Sequence, residues 1–524
     1  MKLFMLGTTT SICSVFILFI LLLRIYTYWY RKKVKTGHVT PIFGDTLYVL
    51  LGIESFPEMI QKIYNKSQDI RYIGTYQLHM PLLLIRSPEL IKEMCVRDFD
   101  HFLDHRPMIN EDLDKLWAKN LSSLKGNSWK KSRSAFSPSF TGSKLKSMLP
   151  STCRAAESFV QYFLSRVGDV VEVDCKDIYS RYVTNSVASL IYGIQTDSLV
   201  DQTNEFHYMG REASGVNNMK KRIVLFLHQL FPEIAKFFQM SFFGKEIDDF
   251  FINIVKHKMK LLEEENMKQT DIVGLLLEAR MGQDTLAEET DQTHAVENRV
   301  KGKDIHQYLT DIDIASQAFV YFNASYETIS STLSFMSYEL AVNPEIQNKL
   351  IQEIDNNKDL TQNFDAVMEM PYLDMVISET LRKWPNTPAT DRFVTKPYTI
   401  QPTLPGEEPV HLEIGDNILV PIFALHRDPK YYADPERFDP ERFSPENRKN
   451  INPFAYLPFG VGPRRCLGMR FALLQIKVAF IHILSKFEIV PVEKTDIPLK
   501  ISRLSLTLTS GESLTLGLKK RIQR

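Results

Sequence analysis

The sequence predicts a mainly α-helical protein with a minor β part, carried behind one N-terminal transmembrane helix. Three observations predict it. Residues 130 to 390 are dominated by helical apolar periodicity, with Ile247 to Glu265 and Ile314 to Ala341 as the longest stretches. Short strand signals flank that body: Leu82-Leu83-Leu84-Ile85 before it, then Tyr398 to Gln401, His411 to Ile414 and Asn417 to Pro421 after it, where Pro and Gly become frequent. At the start of the chain, Leu3 to Leu23 carries no charge.

Taken in order, that uncharged run comes first. At about 1.5 Å per helical residue it just reaches the ~30 Å of a hydrocarbon core. Tyr26, Tyr28, Trp29 and Tyr30 follow and suit an interfacial aromatic belt. Arg31, Lys32, Lys33 and Lys35 then place the downstream chain in the cytosol by the positive-inside rule. A cleaved signal peptide is the alternative, but no small-x-small site follows the apolar run. The chain therefore divides into a signal anchor (1–30), a basic linker (31–45) and a main domain (46–524) with no internal boundary. Between 55 and 110 short helix and strand signals alternate. Residues 281–304 are polar and charged and read as a solvated connection between helices. A last helix runs from Met469 to Phe487, and short strands close the chain near 499–519.

The charges balance, with 63 Lys and Arg against 63 Asp and Glu in 524 residues, so no overall field draws the protein to nucleic acid. The five cysteines, Cys13, Cys95, Cys153, Cys175 and Cys466, include no CxxC or Cys/His pair. They are too few for a disulfide framework and fit a reducing compartment. Cys95, Cys153 and Cys175 read as small buried hydrophobes.

Cys466 stands apart. The segment Phe459-Gly460-Val461-Gly462-Pro463-Arg464-Arg465-Cys466-Leu467-Gly468 immediately precedes the last helix. Two glycines and a proline make a tight loop that holds Cys466 at a helix start, where backbone N–H groups and the helix dipole favour a thiolate. A thiolate so placed suits ligation of haem iron. Gly468 lets the backbone lie close behind the sulfur, Arg464 reaches toward a haem propionate, and Phe459 shields the sulfur from water.

All five fixed positions of FxxGxRxCxG are present (Phe459, Gly462, Arg464, Cys466, Gly468), and the segment resembles the haem-binding loop of the cytochromes P-450. Further motifs agree in family order over residues 36 to 524. Glu379-Thr380-Leu381-Arg382 resembles the ExxR helix, whose Glu and Arg share a face. Pro440-Glu441-Arg442-Phe443 resembles the PERF segment. The resemblance implies that Glu379, Arg382 and Arg442 form a buried network steadying the haem loop. Trp129-Lys130-Lys131-Ser132-Arg133 resembles the WxxxR helix, implying that Trp129 and Arg133 face haem propionates, and Arg392 stands where many relatives place another propionate arginine. Ala324-Ser325-Tyr326-Glu327-Thr328 resembles the oxygen-side motif, in which Glu327 and Thr328 deliver protons through water. Ser325 replaces the usual glycine, which leaves open whether oxygen activation is less well coupled or Ser325 joins the relay. Asn323-Ala324-Ser325 is also a glycosylation sequon, which a cytosolic, buried helix would leave unused.

The resemblance implies a cytochrome P-450 fold and a haem b cofactor (iron protoporphyrin IX). Its animal microsomal branch, with drug- and steroid-oxidising and insect detoxification enzymes, implies an endoplasmic reticulum membrane location. Electrons would come from NADPH through NADPH-cytochrome P-450 reductase, with cytochrome b5 as a second partner. The implied reaction is insertion of one oxygen atom into small lipophilic substrates: xenobiotics, steroids or lipids. One departure is that Arg31 to Gly44 holds only Pro41, where relatives have a proline-rich hinge. Lys125, Lys130, Lys131, Lys144 and Lys146 form a candidate docking patch for the reductase. Leu225, Phe226, Leu227, Phe231, Phe237, Phe238, Phe242 and Phe243 form a candidate membrane-dipping cover. Two rival readings stay open: a haem-thiolate isomerase that rearranges peroxides without a reductase, and a non-catalytic, membrane-tethered haem binder.

Overall fold

The structure, a computed structural model, describes residue 16, residue 20 and residues 22–37, 40–66, 69–215, 219–265, 271–280, 309–357, 363–511 and 513–522. The longer helices are α1 (Phe56–Asn65), α2 (Gly126–Phe136), α3 (Gly142–Leu164), α4 (Cys175–Val187), α5 (Glu205–Ala213), α6 (Met219–Leu230), α7 (Lys245–Glu265), α8 (Ile272–Arg280), α9 (Asp311–Val342), α10 (Pro344–Asp355), α11 (Pro371–Lys383) and α12 (Met469–Lys486). The strands are β1 (Tyr72–Gln77), β2 (Met80–Ile85), β3 (Val170–Asp174), β4 (Thr390–Phe393), β5 (Tyr398–Ile400), β6 (Val410–Leu412), β7 (Asn417–Val420), β8 (Phe487–Val490) and β9 (Thr515–Lys520). Mainly α with a minor β part is therefore the observed class.

Local chemistry sets the main helix starts. Ser55 and Glu58 close a capping box over α1, and Thr310 and Asp313 do the same for α9. Asp174 accepts the Lys176 and Asp177 amides at the start of α4. Helix α9 crosses the middle of the helical body and is buried along most of its length. It packs against α4, α7, α11 and α12. The mixed sheet runs β1-β2-β7-β4, with β2 and β7 parallel and the other pairs antiparallel. β2 is a continuous apolar run because both of its edges are paired and its second half is buried. This sheet delivers Arg392 on β4 toward the loop that precedes α12.

Two expectations change. The aromatic residues after the apolar run are not a free belt. Trp29 is wholly buried and donates Nε1–H to Thr75 O at 3.2 Å, Tyr28 hydrogen-bonds Asp416, and only Tyr30 is widely exposed. The basic stretch after them is not a loose linker either. Thr36 and Gly44 bridge to β1, Val34 is buried, and Lys32 pairs with Asp416 at 3.1 Å. The sheet edge needed covering, and these residues cover it. The apolar run at 3–23 lies almost wholly outside the described residues, as does the charged connection at 281–304. Among the described residues, no helix is long and apolar enough to cross a membrane.

The central helix is tied to the end of α11 by Phe335, whose ring stacks on Trp384 at 4.9 Å and 4°. Trp384 in turn donates Nε1–H to Glu339 at 2.7 Å. Phe335→Ala should destabilise the protein by about 3–5 kcal/mol, the usual cost of emptying a buried aromatic site. A thermal melt of the detergent-solubilised protein that shows no fall in midpoint would contradict this packing role.

Candidate active site

The loop before α12 has a single fold open to it. Gly460 donates to Leu457 O at 3.0 Å, Arg465 to Gly462 O at 3.0 Å, and Cys466 to Phe459 O at 2.8 Å. Gly460 and Gly462 both take left-handed φ, +77° and +71°. At Gly462 an added Cβ would lie 2.0 Å from the carbonyl oxygen of Cys95, so backbone meets backbone and no side chain fits. The loop sets Cys466 two residues ahead of Gly468, the N-cap of α12. Phe459 packs half-buried against the main core.

Among the described cysteines, Cys95, Cys153 and Cys175 are buried and only Cys466 is exposed. Burial nevertheless raises its thiol pKa, opposed by the Gly468 amide and the Arg133 guanidinium. Cys466 is thus accessible at its surface although the protein around its sulfur desolvates it. This corrects the expectation from the helix start alone: desolvation outweighs the helix terminus, and the free thiol is favoured. Coordination to a metal deprotonates such a thiol outright. An added Cβ on Gly468 would meet no protein atom within 4 Å, so no protein neighbour explains that glycine.

Arg133 and Trp129 share one face of α2, as expected. Arg133 interacts electrostatically with both Cys466 and Tyr321, which brings α2, the cysteine loop and α9 together. Phe140 contacts Tyr321 on α9 and Phe471 on α12, closing the same corner. Trp129 is buried with Phe99, Leu103 and Leu121, and the Arg464 guanidinium lies 4.1 Å over its ring. Arg464 departs from the expectation of a simple propionate contact. It donates to Leu103 O (2.9 Å), Leu121 O (3.2 Å), Leu124 O (2.8 Å) and Asp104 Oδ1 (3.1 Å). Four of its five N–H groups are thus spent on stapling the cysteine loop to residues 103–124. Arg392 is buried, donates to Asp391 O (2.6 Å) and Val461 O (3.2 Å), and keeps Nε without a partner.

Sequence reasoning missed the acids and the histidine that balance this corner. His105 Nδ1 lies 3.1 Å from Asp391, whose other oxygen accepts the Arg106 amide at 2.6 Å. Burial would raise Asp391, but His105 and Arg106 hold it far below the usual carboxylate range. In the sequence Asp104-His105-Arg106 looks like any solvated charged triplet, and nothing there tells that it folds inward.

On the other side, α9 stays a continuous α-helix through Ser325. Ala324 is exposed in the middle of this mostly buried helix, and Ser325, Glu327 and Thr328 are half-buried, so this turn is less covered than its neighbours. Thr328 Oγ1 donates to Ala324 O at 2.7 Å, leaving its lone pairs as acceptors.

A family profile for cytochrome P450 matches residues 37–515. The chain belongs to the cytochrome P450 family. It is 36% identical over 516 residues to cytochrome P450 9e2 of Blattella germanica, covering 95% of this chain and 94% of that one. It is 34% identical over 498 residues to cytochrome P450 6k1 of the same species, covering 94% and 93%. It is 32% identical over 489 residues to probable cytochrome P450 9f2 of Drosophila melanogaster, covering 90% of each. The protein is a P450 monooxygenase, and membership implies a haem cofactor and an electron supply from a reductase. The residues here fit that group: an exposed thiol on a rigid loop, an unpartnered buried guanidinium nitrogen on Arg392, and Arg133 interacting with the sulfur.

This P450 also brings its three expected support residues together. Arg382 Nε and Nη2 donate to the two oxygens of Glu379 at 2.7 and 2.8 Å, and both side chains are wholly buried. Arg442 Nε lies 3.4 Å from Glu379, and the Asp439 amide donates to it at 2.9 Å. Burial raises the Glu379 carboxyl, opposed first by Arg382. Removing one partner of such a pair strands a buried charge. Glu379→Ala should therefore cost about 3–5 kcal/mol and most of the haem content. A purified variant with a full haem complement and an unchanged melting point would refute this role.

Proposed function

We propose that this P450 takes electrons from NADPH through NADPH-cytochrome P450 reductase, with cytochrome b5 as a second donor. It inserts one atom of dioxygen into small lipophilic substrates (xenobiotics, steroids or lipids) at the endoplasmic reticulum membrane. The observation that carries this is Cys466, the exposed cysteine among those described, with Arg133 interacting electrostatically with both its sulfur and Tyr321 of α9. Cys466 would hold the haem iron through its thiolate, and a bound haem b would supply the oxygen chemistry. Trp129, Arg133 and Arg392 take the propionate edge, with one N–H of Arg464. Gly460 and Gly462 give the loop its path, Gly468 would leave room for the bound group, and Phe459 screens the sulfur.

Glu327 and Thr328 handle protons on the opposite side. With its hydroxyl hydrogen given to Ala324, Thr328 is set to hold a water or a reacting oxygen by its lone pairs, and Glu327 links that position to solvent. The Glu327–Thr328 pair favours oxygen insertion over peroxide rearrangement, which needs no proton delivery. Thr328→Ala should raise peroxide released per NADPH consumed by about tenfold or less, at similar NADPH consumption. Unchanged coupling would count against the pair.

The lipid side of the account rests on exposed apolar residues. Phe237 and Phe238 are 80% and 66% exposed, with Phe231 and Ile234 beside them. Phe242 and Phe243, expected to share that role, are instead buried: Phe243 packs on Trp117 and Phe319 at 5.3 and 5.1 Å. A second apolar area joins Leu51 and Ile53 to Ile223 and Leu504, with Arg222 donating to Leu504 O at 2.7 Å. Both areas supply contacts with a bilayer in addition to the N-terminal anchor. Lys125 and Lys130 are paired with Glu111 and Asp100 at 2.9 and 3.0 Å, so the reductase patch is a mixed-charge surface and not a bare basic one.

Two measurements test the reading. Reconstituted with reductase, the protein should oxidise members of a lipophilic panel only when NADPH is present; turnover of a hydroperoxide without reductase would favour the isomerase reading. The pair Phe237→Ser with Phe238→Ser should weaken vesicle binding of the anchor-deleted protein several-fold, whereas Phe242→Ser should lower stability. Equal vesicle binding by all forms would sink the membrane assignment of that surface.

A further inference from the structure

His426 lies on no motif that the function uses, yet it is wholly buried between the two parts of the site that must stay in register. Its Nε2 lies 2.8 Å from the Leu457 amide, which has only a proton to offer, so Nε2 is an acceptor. The proton therefore sits on Nδ1, which donates to Arg382 O at 3.1 Å. The backbone carbonyl of His426 accepts Arg382 Nη1 at 2.8 Å. Its ring stacks on Tyr456 at 5.5 Å and 25°, and Tyr456 donates to Ser378 O at 3.0 Å. Leu457, the residue it holds, opens the cysteine loop: its carbonyl accepts the Gly460 amide. A short chain of hydrogen bonds thus runs from the Glu379–Arg382 pair through one imidazole ring to the first turn of the loop that carries Cys466.

We propose that His426 is a positioning residue for the axial thiolate: as the neutral Nδ1–H tautomer it fixes the start of the Cys466 loop to the C-terminal end of α11. The inference rests on the reading of Cys466 as haem ligand and goes beyond it. Only a neutral ring can do this, because a proton on Nε2 would face the Leu457 N–H. The charged and titratable groups around the ring agree. Burial first, then Arg382 and Arg427, push its pKa down to about 3, while Tyr432 and Tyr456 are the other titratable neighbours. A histidine held down in this way contributes stability that is complete above its ordinary value of 6.5 and lost as the pH falls from there toward about 3.

The two bonds separate by substitution in the full-length holoprotein. His426→Gln keeps an acceptor at the Nε2 position, His426→Asn keeps only a donor at the Nδ1 position, and His426→Phe keeps only the ring. The readout is the reduced carbonmonoxy spectrum at matched haem content, followed as the thiolate-ligated band decays to the form that has lost the sulfur. His426→Asn and His426→Phe should lose that band about tenfold faster than wild type, the effect of one missing buried hydrogen bond. His426→Gln should stay near the wild-type rate and flatten the acid-side loss of stability. If His426→Asn yields no haem protein while His426→Gln does, the proposal stands. It is overturned if His426→Asn decays like wild type. It is also overturned if all three variants fail alike, because packing alone then explains the residue. A wild-type protein without the thiolate band would refute the Cys466 reading and this inference with it, whereas a wild-type band with His426→Asn decaying like wild type refutes this inference alone.

Discussion

Under the proposed reading, the constraint around which this molecule is organised is a sulfur that would carry negative charge where the protein desolvates it. Burial opposes the thiolate, and among the described residues the Gly468 amide and the Arg133 guanidinium act against that. On the proposed reading a metal would provide the rest, and would need the sulfur held in one place. That explains the stiffness of the loop, which has two left-handed glycines, a proline between Gly462 and Arg464, and a backbone contact with Cys95 that admits no side chain.

The same logic governs the charged residues around it. Buried ions are costly unless each is paired and hydrogen-bonded. Arg464 is satisfied by Asp104 and three carbonyls, Arg382 by Glu379 and the His426 carbonyl, and Asp391 by His105 and the Arg106 amide. Arg392 Nε has no hydrogen-bond partner among the described residues, and neither do Arg106 Nε and Nη1 next to Asp391. The fold brings these groups together from distant parts of the chain, with β4 held by β7, α2 fixed by the Trp129 cluster, and α12 rising from the loop itself.

Much of this was legible beforehand, and for a physical reason. Helix α9 and the strand at Leu82–Ile85 announce themselves by apolar pattern, and the cysteine loop by the residue types that a tight turn requires. The Glu379–Arg382 spacing places both side chains on one helix face whatever surrounds them. Other features depend on tertiary neighbours and leave no local trace. Trp29 looks like an interfacial aromatic until Thr75 and Gly74 are seen against it. Phe242 and Phe243 look as exposed as Phe237 and Phe238, but the buried carboxylate of Asp114 accepts the Phe242 and Phe243 amides and draws that turn inward. Arg464 reads as a ligand of the cofactor because its acceptors, the carbonyls of residues 103, 121 and 124, are invisible to any motif. His426 has no signature, since its role is set by which carbonyl and which amide it meets.

The most direct test of the account is the haem content and reduced carbonmonoxy spectrum of wild-type protein beside Cys466→Ser. Wild type should show the red-shifted Soret band of thiolate ligation, and the serine variant should lose that band and most of its haem. A serine variant that keeps full haem, the same band and turnover would contradict the claim that this sulfur holds the metal.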